Sequence, residues 1–254
     1  MVDLHCHILS GVDDGARTFD DSLAMAEMAI ADGITHVVAT PHCSNEYRFD
    51  YAVVRKATEE LQRAVGDRLK LASGCDFHLS AENIAALRRN SAPFCIHQKV
   101  YLLVEFNEFS IPAAMDHTIY EIHLAGVRTI ITHPERNGII RTHQERLEQW
   151  IRTGAYGQVT AGSLTGSFGA YAKQMAFCWI ASGMVHFVAS DAHNLTGRPQ
   201  KLRAAYDVVH AEFGAEKAEA LFVSNPLAAF EGRPLPHVPE ITPEQIKRKR
   251  FFFF

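Results

Sequence analysis

Cysteine is scarce and unpatterned in this 254-residue chain: Cys6, Cys43, Cys75, Cys95 and Cys178 form no C-x-x-C pair. An odd number with no secretory leader reads as reduced thiols rather than a disulfide framework. No apolar run approaches the roughly 18–20 residues that span a bilayer. A strand is expected to start at Val2, which leaves no room for a signal peptide, so the expected location is the cytoplasm. The net charge of −4 offers no excess of positive charge, and no nucleic-acid partner is expected. Neither a Pro/Ser-rich linker nor a fixed-period repeat divides the chain, and its length suits one α/β barrel domain.

What is present is a regular alternation of apolar strand-like runs and helical patterns. The runs are Val2–His5, Thr35–His42, Leu69–Asp76, Tyr101–Phe106, Val127–His133, Ala155–Thr160 and Val185–His193. Between them the spacing predicts helices from a Thr18 cap to Asp32, over Asp50–Val65 and Ala81–Arg89, and from Ser110 to about Gly126. Further helices are expected over Thr142–Thr153, Gly169–Ser182, Pro199–Phe213 and Glu216–Phe222. Strict alternation argues for parallel strands, and about seven βα units can close into a barrel.

Histidine is abundant, with 14 copies, and its placement is informative. His5, His7, Asp14, His42, Asp76, Glu105, His133, Asp191 and His193 each close or closely follow an expected strand. In an α/β barrel those ends converge on one face, which carries the chemistry. Strand alternation turns His5 and His7 to one side and Cys6 to the other. Asp191 and His193 repeat that pattern at the last strand, which neighbours the first when a barrel closes. Glu105 sits inside an apolar run, where a lone buried carboxylate is costly and a metal removes the cost. Five imidazoles and four carboxylates suit two or three divalent ions, with Mn²⁺, Fe²⁺ and Zn²⁺ all compatible. Asp13 is read as a turn carboxylate. His36, His78, His97, His117, His123, His143, His186, His210 and His237 are read as ordinary surface or core residues.

These residues lie in recognisable motifs. HCH with VDDGA, then ATPH, SGCDFH, VEF, THPERN and SDAHNLTGRP resemble the PHP (polymerase and histidinol phosphatase) superfamily. Within it the chain is similar to the manganese-dependent protein tyrosine phosphatases of bacterial capsule and exopolysaccharide operons, from Met1 to Phe230. The resemblance implies a distorted (β/α)7 TIM-like barrel over residues 1–230; the proline-rich, basic composition beyond it leads us to expect a poorly ordered extension over 231–254. It implies three Mn²⁺ ions held by the nine residues named above. It also implies, as substrate, the phosphotyrosine tail of a membrane-associated bacterial tyrosine kinase. Asp76 departs from relatives that carry Glu there.

Arg136 and Arg198 follow metal-facing histidines at short range, and guanidinium forks bind phosphate oxygens bidentately. They are the expected phosphate-binding residues, with His193 a candidate to assist proton transfer. The expected nucleophile is hydroxide from a metal-bridging water attacking phosphorus in line. A cysteine nucleophile is not expected, since no cysteine has the C-x₅-R spacing and Cys43 reaches Arg48 one residue early. Two alternatives remain within metal-site chemistry: a histidinol-phosphate-type phosphatase, and a catalytically silent metal-binding regulator. An amidohydrolase with a carboxylated lysine is disfavoured, because no strand end offers a lysine. The tail Lys247–Arg250 followed by Phe251–Phe254 suits weak contact with an anionic membrane surface.

Overall fold

The computed structural model describes residues 1–242, and the basic, phenylalanine-ended tail at Lys247–Phe254 lies outside the described residues. The described residues form nine strand segments: β1 Val2–Cys6, β2 His36–Ala39, β3 His42–Cys43, β4 Lys70–Ser73, β5 Asp76–His78, β6 Tyr101–Glu105, β7 Arg128–Thr132, β8 Tyr156–Thr160 and β9 Phe187–Ala189. Two of the seven runs are each split in two. Thr40–Pro41 separates β2 from β3, and proline has no N–H with which to continue a ladder. Gly74–Cys75 separates β4 from β5; a Cβ on Gly74 would stand 3.2 Å from Val38 Cγ1, so the chain crosses tightly there.

Every ladder is parallel. One sheet has the order β1-β2-β4 and the other β3-β5-β6-β7-β8-β9. Because β3 continues β2 and β5 continues β4, the order follows the chain around the distorted barrel. The seam between first and last strands is held by the bridge Cys6–Ala192 and by hydrogen bonds from Asp191 N to His5 O and His7 N to Ala192 O. A continuous ladder is not formed there among the described residues.

Two apolar layers hold this arrangement. The outward faces of the strands, including Val37, Leu102, Val104, Ile131 and Val188, pack against helix residues such as Met25, Leu61, Leu147, Trp150 and Trp179. The inner layer of Leu4, Val38, Tyr101, Leu103, Ile130 and Phe187 is capped by Phe230. Each such fully buried side chain contributes about 1.5–3 kcal/mol of transfer free energy. The inner layer fills the end where the strands begin, which leaves the polar residues at the opposite end, where they finish.

β1 departs from simple alternation. Its register runs Asp3↔Val37 and then Cys6↔Ala39, so it spends one residue more than β2. Such a bulge re-aims side chains. Leu4 therefore joins the inner layer while Asp3, two before His5, is turned outward onto Ser190 and Gln200.

The helices follow their caps. Thr18 Oγ1 accepts from Asp21 N at the start of Phe19–Ala31, and Asp50 accepts from Ala52 N and Val53 N at the start of Tyr51–Val65. Others differ from expectation. The helix expected from Ser110 begins only at Ala114, after Pro112. The one expected from Pro199 begins at Arg203. His143 interrupts the expected Thr142–Thr153 helix, separating Gly138–Thr142 from Gln144–Arg152. Beyond Ala215–Glu219 the chain makes a wide turn at Ala220–Ser224 and then an unforeseen helix, Asn225–Glu231. In the following segment Arg233 O accepts from Tyr101 Oη at 2.8 Å and Thr242 N donates to Ser182 O at 3.1 Å.

Candidate metal centre

The first corner after β1 builds one side of the centre. Gly15 lies so close to β1 that a Cβ there would stand 2.0 Å from the His7 carbonyl oxygen, so only glycine fits. This close approach folds Asp13 back under the site. Asp13 Oδ2 lies 2.6 Å from His7 Nδ1 and accepts from His42 N at 3.0 Å. Asp13 is thus more than a turn residue: it orients one imidazole and anchors the strand that carries another. Its neighbour Asp14 points to the opposite side, with Oδ1 3.5 Å from both His42 Nε2 and His193 Nε2.

The other side is assembled by register. The β3–β5 ladder pairs His42 with Asp76, and the β5–β6 ladder pairs His78 with Glu105. At the seam, Asp191 and His193 lie beyond the end of β9, and Asp191 has φ of 52°. Strand alternation therefore does not explain their orientation; a left-handed backbone does. His133, directly after β7, also has positive φ. Non-glycine residues in this region are uncommon and concentrate at functional sites.

The structure brings all nine expected residues together. His5 Nε2 stands 3.3 Å from His7 Nε2, 3.4 Å from Asp191 Oδ1 and 3.6 Å from Asp76 Oδ2. His7 Nε2 is 3.5 Å from Asp191 Oδ1. His42 Nδ1 is 3.4 Å from both Asp76 Oδ2 and Glu105 Oε2, and His133 Nε2 is 3.6 Å from Glu105 Oε1. Two donors on one tetrahedral ion with bonds of about 2.1 Å lie about 3.4 Å apart. The observed separations match that spacing, longer than an ordinary hydrogen bond.

A second observation supports the fit. His42 Nδ1, Asp76 Oδ2 and His193 Nε2 are buried without a hydrogen-bond partner. Asp76 Oδ2 and His193 Nε2 can offer lone pairs to a cation, and such buried orphans are costly unless one satisfies them. The donors are imidazole nitrogens and carboxylate oxygens, with no thiolate among them. Cys6, Cys43 and Cys75 are buried in the outer apolar layer instead.

Charge is congested here. Burial and the neighbouring Glu105 raise Asp76 to about 7. Burial works to depress His42, but Asp76 and Glu105 outweigh it and raise His42 to about 11. Burial likewise opposes ionisation of Asp191, yet His5, His7 and Arg136 around it hold it well below the usual carboxylate range.

His193 Nδ1 lies 3.0 Å from the Asp191 carbonyl oxygen, while its Nε2 faces the cluster unpaired. That backbone contact selects the tautomer with a lone pair on Nε2, the form that ligates metal. Arg136 and Arg198 both donate to Asp191 Oδ2. The Arg136 guanidinium also stacks over the Phe168 ring, 4.4 Å from its centroid. Arg198 Nε is buried with no partner, a donor left over.

Sequence reasoning passed over four contributors. His78 Nε2 lies 2.5 Å from Glu105 Oε2, so it is not an ordinary surface histidine. Its position two residues after Asp76, on the same face of β5, was the available signal. Asp13 was hidden by its turn-like setting. Gln158 reaches His5 Nδ1 at 3.0 Å from β8. Tyr47 stacks on His42 at 5.8 Å between centroids, from a loop with no regular pattern to read.

Comparison with known proteins agrees with this geometry. The family model described as capsular polysaccharide synthesis, CpsB/CapC, matches residues 1–231. The tyrosine-protein phosphatase YwqE of Bacillus subtilis is 33% identical over 258 residues, covering 100% of both chains. The tyrosine-protein phosphatase CpsB of Streptococcus pneumoniae is 28% identical over 236 residues, covering 89% of this chain and 96% of that one. A solved structure from the YwqE and CpsB pair, described as metal-dependent tyrosine phosphatases, superposes with a TM-score of 0.88 at 32% identity, covering 95% of this chain and 99% of that one. A histidinol phosphate phosphatase from Lactococcus lactis, at 12% identity and a TM-score of 0.57 over 87% of this chain and 94% of that one, shares the fold. With a distorted parallel barrel, a converging donor set and a family match over nearly the whole chain, this protein belongs to the CpsB/CapC family of capsular polysaccharide synthesis.

Proposed function

We propose that this chain is a metal-dependent protein tyrosine phosphatase. Its substrate is the phosphorylated tyrosine tail of a membrane-associated kinase that serves capsule or exopolysaccharide synthesis. The observation that carries the proposal is the convergence of nine imidazole and carboxylate donors at ion-ligand spacing beside two arginines. The relatives' activity supports the same reading.

His5, His7, Asp14, His42, Asp76, Glu105, His133, Asp191 and His193 would hold up to three ions, with Mn²⁺ the preferred candidate. When bound, such ions supply Lewis acidity, making hydroxide available near neutral pH and offsetting charge on phosphoryl oxygens. Arg136 and Arg198 orient the phosphoryl group with their planar forks and stabilise charge on its equatorial oxygens. Asp191 keeps both guanidinium groups at the mouth. His193, whose Nδ1 contacts the Asp191 carbonyl oxygen, offers Nε2 to the cluster as a ligand. Tyrosine phenolate, with a pKa near 10, leaves without a strong acid.

A cleft of about 350 Å³ adjoins Glu105 and His78. Leu79, Phe106, Ile111, Pro112 and Met115 supply its apolar wall, which suits a phenyl ring next to the phosphoryl position.

The test is phosphate release from a phosphotyrosine peptide, a phosphoserine peptide and histidinol phosphate, with metal-stripped and Mn²⁺-reconstituted protein. Mn²⁺-dependent turnover selective for phosphotyrosine is expected. A preference for histidinol phosphate would move the substrate to small-molecule metabolism. No turnover with metal demonstrably bound would overturn the phosphatase assignment.

A further inference from the structure

His42 presents both ring nitrogens to candidate ligand groups. Nε2 faces Asp14 and His193, and Nδ1 faces Asp76 and Glu105. A neutral imidazole has only one nitrogen lone pair, so it can serve only one of the two ions. Two features assign Nε2 as the donor. Asp14, His193 and His7 complete a four-donor group around it, and His193 Nε2 is itself unpaired. With Nε2 as donor, Nδ1 carries a hydrogen and supports Asp76 or Glu105 from outside, the usual arrangement around a metal-bound imidazole. The inner group then keeps the two carboxylates, Asp76 and Glu105, but His42 Nδ1, 3.4 Å from both, no longer offers it a lone pair.

We infer that His78 supplies that lone pair, as a tenth metal ligand acting through Nε2 on the ion held by Asp76 and Glu105. This rests on the metal-centre reading above. The register of β5 carries the argument. Asp76 and His78 are two residues apart and share a face, and His78 is paired across the ladder with Glu105. Glu105 divides its oxygens, with Oε1 toward His133 and Oε2 toward His78. Asp76, Glu105, His78 and His42 each offer an atom within 4.8 Å of the others. The His78–Glu105 separation of 2.5 Å would widen by about 1 Å to admit an ion at normal bond lengths. The His78 side chain is 29% exposed.

The test compares full-length wild type, His78→Ala and His78→Gln by elemental analysis after dialysis against a graded chelator, using Mn²⁺ alone as the probe. Visible absorption of the Co²⁺-substituted proteins is read in parallel. Glutamine keeps a hydrogen bond to Glu105 but is a poor ligand, so it separates ligation from hydrogen bonding. Both variants are expected to lose one metal equivalent, held about 100-fold or more less tightly than in wild type, beyond the usual effect of residues outside the ligand shell. Their Co²⁺ spectra should change in the same way. Full retention by His78→Gln, with an unchanged spectrum, would overturn the proposal. A wild type that binds no metal would instead overturn the underlying metal-centre reading, so the two failures are distinguishable.

Discussion

Arg136 and Asp191 are locked together at the barrel mouth. The guanidinium donates to Oδ2, which leaves Oδ1 facing Nε2 of His5 at 3.4 Å and of His7 at 3.5 Å. One carboxylate thus joins a phosphate-binding candidate to the metal candidates. Arg136→Ala should therefore act twice, on metal retention and on phosphate recognition. We expect kcat/KM on a phosphotyrosine peptide to fall at least about 10–100-fold, the range for loss of an outer metal-site partner. Kinetics at saturating Mn²⁺ separate the two effects: a KM that stays high there isolates the lost phosphate contact, and full recovery would refute that role.

Asp13 bears on His7 in a similar way, through a 2.6 Å contact with Nδ1. Asp13→Asn should weaken metal affinity by about 10–100-fold while leaving the circular-dichroism spectrum unchanged. Calorimetric titration of the stripped protein with Mn²⁺ measures this, and wild-type affinity in the variant would show Asp13 to be only a turn residue.

His186 lies away from this centre, nearly fully buried, with Gly157 N donating to its Nδ1 at 3.2 Å. Burial lowers it to about 3, so the folded state keeps it neutral. Protonation favours the unfolded chain, where the pKa is near 6.5. Its stabilising contribution is present above about pH 6.5 and falls by about 1 kcal/mol per pH unit on acidification toward 3. His186→Asn, which retains an acceptor, should flatten the wild-type loss of stability between pH 6.5 and 5 in urea titrations. Parallel pH profiles for the two proteins would contradict this.

Asp50 caps the helix Tyr51–Val65 through Ala52 N and Val53 N. Asp50→Ala should cost about 1 kcal/mol, or about 2–4 °C in Tm. Turnover at 25 °C should not change. A Tm within 0.5 °C of wild type, on the order of assay error, would mean that the cap is replaced by solvent.

The nine converging residues were legible because each closes or closely follows a run of apolar residues, and a parallel barrel gathers strand ends on one face. The helices over Phe19–Ala31, Tyr51–Val65 and Ala81–Arg89 were legible from caps and spacing. Helix starts near Pro112 and Pro199 were not. Proline is tolerated in a first turn but does not itself start one, and at both positions the helix begins beyond it.

By itself the sequence determined the parallel α/β architecture, the donor chemistry and the two arginines, since these follow from local pattern and residue type. Tertiary structure alone decided which donors share an ion-sized space. Asp13 reaches His7 only because the corner at Gly15 lies flat on β1, and it holds His42 across 29 residues of chain. His78 meets Glu105 only through the register of β5 on β6. Asp191 faces His5 and His7 only because its backbone turns left-handed at the seam. Register, bulges and φ at single residues are settled by packing between segments far apart in the chain, and no local pattern encodes them.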